Sequence, residues 1–93
     1  MKIEPTESDL VGGWVTQQHR VVADATEIRI GQLIERDLQK IAVNAADWCV
    51  LYRDPSDGRY WELTYPQSEM HGGGPRRLSV IDSDAARTKY GLK

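Results

Sequence analysis

Ninety-three residues are one domain's worth of chain, too few for an enzyme whose cleft lies between two lobes and enough to bury a core without a disulfide or metal staple. Twelve Lys and Arg against fourteen Asp and Glu leave a net charge of −2, which is not the basic stripe of a protein that lives on phosphate backbones. The single Cys49 forbids an intrachain disulfide, and no Cys/His set has zinc-ligand spacing, so neither metal nor cofactor is expected.

Residues 1–9 are polar, contain Pro5 and read as a loose arm to a single domain over residues 1–93. They have neither the basic start nor the apolar run of a secretion signal, and no stretch reaches membrane-spanning length, so a cytoplasmic protein is expected. Leu10 to Val15, broken by Gly12 and Gly13, and Arg20 to Val22 are short β-prone pieces, and His19 between them reads as a hairpin residue rather than a ligand. Asp24 followed by Glu27 is an acidic variant of the capping box. Beyond it, Ile30, Leu33, Ile34, Leu38 and Ile41 gather on one arc at helical spacing, opposite Gln32, Glu35, Arg36 and Gln39. This predicts an amphipathic helix from Thr26 to Val43 that exits at Asn44 and Asp47. Gly31 at the border of the arc suggests that a large side chain such as a Trp presses there.

Trp48 to Arg53 and Tyr60 to Tyr65 are aromatic and β-branched runs flanking Asp54-Pro55-Ser56-Asp57-Gly58, a hairpin loop with Pro55 early in the turn and Gly58 at its left-handed close. Pairing Asp54 with Arg59 sets Tyr52 against Trp61, Val50 against Leu63 and Trp48 against Tyr65, one apolar face on which the helix arc should pack. The reverse face, with Cys49, Leu51, Arg53, Tyr60, Glu62 and Thr64, is mixed, as a surface or an interface would be. Gln67 to Arg76 reads as a loop holding Gly72-Gly73-Gly74-Pro75; Leu78 to Ile81 gives a further strand, and a short last helix runs from near Ser83 to before Gly91. The fold class is α+β: a small antiparallel sheet with one main amphipathic helix on one face and a short C-terminal helix.

Chemistry-bearing groups are sparse. Glu62 and His71 are the acid/base candidates for a small hydrolase or nuclease, but neither Ser68 nor Cys49 sits in a nucleophile-elbow context, and we read the chain as not an enzyme. Gly72 to Gly74 with Arg76 and Arg77 admit an anion cradle or a nucleic-acid adaptor; the run lacks a phosphate-loop lysine and leads toward a strand, so we read it as a sharp loop with positive φ angles held by Pro75. Arg29, Arg53 and Arg59 read as solvated charges.

Trp61-Glu62-Leu63-Thr64-Tyr65-Pro66, followed by Ser68-Glu69-Met70-His71-Gly72-Gly73-Gly74-Pro75 and Leu78, resembles the immunity protein 27 family of bacterial polymorphic toxin systems. Gly13-Trp14, Asp24, Arg29-Ile30, Leu33-Ile34, Trp48, Leu51-Tyr52, Asp57-Gly58-Arg59 and Lys89-Tyr90-Gly91 extend the resemblance over residues 10–91. It implies a small α+β protein, encoded beside a toxin gene, that binds and silences that toxin; no catalytic residue carries over. The partner is then a cognate toxin domain, not a nucleic acid, membrane or small-molecule substrate. The expected binding surface is the mixed hairpin face with the glycine loop beside it: Arg53, Arg59, Tyr60, Glu62, Glu69, His71, Gly72, Gly73 and Gly74.

Overall fold

The computed structural model describes residues 6–46, 48–66 and 74–92. Two short strands, β1 (Asp9–Val11) and β2 (Trp14–Gln17), are separated by Gly12 and Gly13 and followed by β3 (Arg20–Ala23). Helix α1 (Ala25–Gln32) comes next, then strands β4 (Gln39–Asn44), β5 (Cys49–Arg53), β6 (Tyr60–Thr64) and β7 (Arg77–Ile81), and helix α2 (Ser83–Tyr90). Five strands make one antiparallel sheet in the order β1-β7-β6-β5-β4, and β2 with β3 forms a separate two-stranded ribbon.

The hairpin register is the one its loop dictates. Tyr52 pairs with Trp61 and Val50 with Leu63, while Asp54 N–H donates to the Arg59 carbonyl at 2.9 Å and Gly58, at φ +79°, donates to the Asp54 carbonyl. The Asp24 carboxylate caps α1 by accepting from Glu27 N–H at 2.8 Å. The last helix also falls where expected, capped by Asp82 and ended by Gly91 at φ +67°. His19 lies in the β2–β3 turn with Gln18, both at positive φ and exposed.

The helix expected over Thr26 to Val43 is shorter. Its α-helical part ends at Gln32, a π-helical turn carries on over Leu33–Asp37, and Leu38 N–H closes that turn on the Leu33 carbonyl at 2.8 Å before turning extended. From Gln39 on, the expected helix is the edge strand β4 instead. Its residues alternate as readily as they fit a helix, and β-branched Ile41 and Val43 suit a pleated strand that gives β5 a second partner. Ile41 thus leaves the helix arc and sits in a bulge, since pairing with β5 shifts between Lys40 and Ala42. Asn44 is the last residue of this strand, and Asp47 lies outside the described residues.

The core forms where α1 and its π turn lie on the sheet: Leu10, Ile30, Leu33, Leu38, Tyr52, Trp61, Leu63 and Leu78 are buried together, with Ile34 and Val50 at the margin. Trp48 departs from the expected apolar face. The β5–β6 ladder stops at Val50 and Leu63, and Trp48 sits in the turn before β5 at φ +55° with 69% of its surface exposed. The reverse face is not an open surface either. Leu51 and Cys49 are fully buried there, and α2 covers it, burying Ala86 and bonding Tyr90 to Glu62 of β6. The sheet is therefore the middle of three layers, and α2, not solvent, meets the mixed face.

Candidate functional site

At the hairpin turn, Asp54 organises the loop by accepting from Ser56 N–H and Oγ, and Asp57 accepts from Arg59 N–H and Nε. Those bonds, the backbone one foremost, hold the Asp57 carboxyl below the usual carboxylate range. Arg59 is not a solvated charge. Its guanidinium donates to the Glu7 carbonyl at 2.6 Å and lies 5.0 Å from the centre of the Trp61 ring, a cation–π contact on the core's largest side chain. Arg29, also expected to be solvated, grips the Glu7 carboxylate with two nitrogens at 2.6 and 2.5 Å. Residues 7 and 8 are thus docked, Ser8 also accepting from Val80 N–H. Arg53 and Tyr60 are cross-strand partners beside this turn, both half-buried.

Glu62 points to the other side. Its Oε2 accepts from the Tyr90 hydroxyl at 2.9 Å and from Lys89 Nζ at 2.7 Å, leaving 13% of the side chain exposed. Burial first, then bonds to Cys49 and Glu62, pushes the Tyr90 hydroxyl well above its ordinary value, and Glu62 raises Lys89. A carboxylate held by a cation and a protonated phenol fixes α2 to the sheet. His71, Glu69, Gly72 and Gly73 lie outside the described residues. Gly74, buried at φ +72°, precedes β7, which begins opposite Thr64. Tyr60 and Thr64 are the two ends of β6, about 14 Å apart along the strand. Arg53, Arg59 and Tyr60 therefore come together at one end of the hairpin, with Glu62 facing α2 and Gly74 at the opposite end.

Sequence reasoning missed a clasp built on Glu27. This side chain, 7% exposed, accepts from Arg76 N–H and from Arg76 Nε, each at 2.6 Å, and pairs with Nη2 at 2.5 Å. Around it Gly12 N–H donates to the Arg76 carbonyl at 2.8 Å and Asp24 N–H to the Gly13 carbonyl at 2.9 Å, so the β1–β2 link, the start of α1 and the entry to β7 are tied together. A Cβ on Gly12 would stand 2.7 Å from Glu27 Oε1 and 2.8 Å from the Arg76 carbonyl oxygen, which leaves room only for glycine. The large group beside Gly31 is the Arg76 guanidinium, 3.1 Å from where its Cβ would be, rather than a Trp. The signal was present: Glu27 stands one helical turn before Ile30, on the apolar arc. Arg77 in turn pairs with Asp9 through Nε and Nη2. Both arginines of the adaptor reading are held by carboxylates of their own chain.

Among the described residues no group of three or more His, Cys, Asp or Glu is placed to hold a metal, and no helix is long and apolar enough to cross a membrane. Fold and site together define a small α+β domain whose charged groups mostly secure its own elements. The family model for immunity protein 27 matches residues 16–82, most of the chain, and the chain belongs to that family. No curated protein and no solved structure matches it.

Proposed function

We propose that the protein binds a cognate toxin and neutralises it by occluding the toxin's active or essential surface, acting stoichiometrically rather than catalytically in the cytoplasm of the producing cell. The observation that carries this reading is the immunity-family match over residues 16–82, which spans the whole hairpin and its flanking strands. The engagement of Glu62 by Lys89 and Tyr90, and of Arg76 and Arg77 by Glu27 and Asp9, supports it over a hydrolase or a nucleic-acid adaptor. We assign the contact surface to Arg53, Arg59 and Tyr60 at the hairpin turn; Glu69, His71, Gly72 and Gly73 of the expected surface lie outside the described residues.

The test is co-expression with the toxin domain encoded by the neighbouring gene, combined with titration of the purified pair. Growth should be rescued and toxin activity should titrate to zero at one equivalent. Arg53→Glu should weaken binding at least about tenfold, as reversing a charge in an interface does, with little change in melting. No rescue and no complex with the wild-type chain would overturn the reading.

A further inference from the structure

The early end of α1 has a consequence for the sheet face it covers. Along one row of that face lie Leu10, Leu78, Leu63, Val50 and Val43, paired strand to strand. The first three are buried, Val50 is half-buried and Val43 is 55% exposed, so the cover thins toward β4. At that uncovered corner Val43, Asn44, Ala45, Trp48, Val50 and Tyr65 line an open groove of about 350 Å³, and among the described residues no side chain lining it carries a charge.

Trp48 stands at the groove in a conformation that folding alone does not reward. Among the described residues it is the most exposed large apolar residue, and its backbone occupies the left-handed region that L-residues with bulky side chains avoid. Both features are unfavourable in the free protein, and both suit an anchor presented to another surface, where Trp is enriched among residues that dominate binding. The neighbouring edge does not invite a second copy of the chain. Ile41 bulges out of register and Lys40 lies beside it, two devices that blunt strand-to-strand addition. The occupant must therefore meet the groove with side chains, and an uncharged lining selects an uncharged, apolar counter-surface.

We propose that the Trp48 groove is a docking surface for the cognate toxin, with the indole seated in an apolar, uncharged socket on the toxin. This rests on the immunity reading above and adds to it a second contact, at the end of the hairpin opposite Arg53 and Arg59. The two ends lie about 14 Å apart along β6, within the span of one ordinary protein–protein interface.

The experiment measures the affinity of the full chain for the purified, catalytically inactivated toxin domain from the neighbouring gene. Trp48→Gly should weaken binding about 30-fold or more, the effect of losing a dominant anchor. It should melt no lower than wild type, because glycine accepts φ +55° freely. Val43→Asp, which places a charge in the groove, should weaken binding at least about tenfold, while Val21→Ser on the exposed ribbon should bind as wild type does. Wild-type affinity in Trp48→Gly overturns the groove proposal and leaves the immunity reading standing. A wild-type chain that does not bind the toxin overturns both. If the free wild-type chain dimerises, Trp48→Gly is monomeric and toxin affinity is unchanged, the groove is a self-interface and the proposal fails.

Discussion

Replacing Glu27 by Ala should cost more than any surface substitution, because the carboxylate serves three donors of Arg76 from a nearly dry position. Breaking a fully buried ion pair costs about 3–5 kcal/mol. Here the Arg76 side chain keeps 26% of its surface and can turn partly to water, which lowers the figure to about 2–3 kcal/mol. For a chain of this length one kcal/mol moves the melting temperature by about 5 °C, so Glu27→Ala should melt about 10–15 °C lower. Glu27→Gln keeps the shape and an acceptor for the Arg76 N–H, and should lose only about 1 kcal/mol. Adding Arg76→Ala to Glu27→Ala should cost little more, since the guanidinium has already lost its partner. Thermal melts of wild type, Glu27→Ala, Arg76→Ala and the double variant at neutral pH give the cycle. A Glu27→Ala variant within about 2 °C of wild type, or single-variant losses that simply add in the double, would refute the argument that the clasp holds α1 to the entry of β7.

Two further outcomes follow from the backbone and from the Tyr90 cluster. Gly74→Val forces a β-branched residue to φ +72° at a buried position and should lower stability by about 1–3 kcal/mol, or several degrees in melting temperature, whatever it does to toxin binding. For Tyr90 the folded state holds a proton that the unfolded state releases above about pH 10, so its contribution is intact below that pH and is lost as pH rises beyond it. Tyr90→Phe should therefore melt lower than wild type at pH 7, having lost the bond to Glu62, and show a shallower loss of stability between pH 9 and about 11.

Local chemistry read well wherever a short motif specified its own geometry. The Pro55 to Gly58 loop set the strand register, Asp24 set the start of α1, and Gly91 set the end of α2. Reading failed where two periodicities share a residue: Ile41 continues the helical spacing from Leu38 and also alternates with Val43 as in a strand, and only the open edge of β5 decides between them. The burial of Leu51 and Cys49 depends on where α2 folds back, which no residue near them announces. The arginines misled for the same reason. Arg29 and Arg76 meet Glu7 and Glu27, and Arg59 meets the Glu7 carbonyl, only through the tertiary fold, at sequence separations that no local pattern spans. Of the expected contact surface, the grouping of Arg53 and Tyr60 followed from the register, whereas Glu62 went to α2 for want of any clue that the reverse face is covered.

The place of β1 in the sheet sets a delay on completing the fold. This three-residue strand pairs with β7, and Asp9 meets Arg77, 68 residues further along the chain. At a synthesis rate of about 5–20 residues per second, roughly 3–14 s separate the making of the two. Until β7 emerges from the ribosome, β1 has no partner strand, Glu27 has no Arg76 and the sheet has an open edge. On the toxin-binding reading proposed above, a nascent chain of this topology would be an incomplete inhibitor, and a cell that translated both messages at once would rely on inhibitor already released.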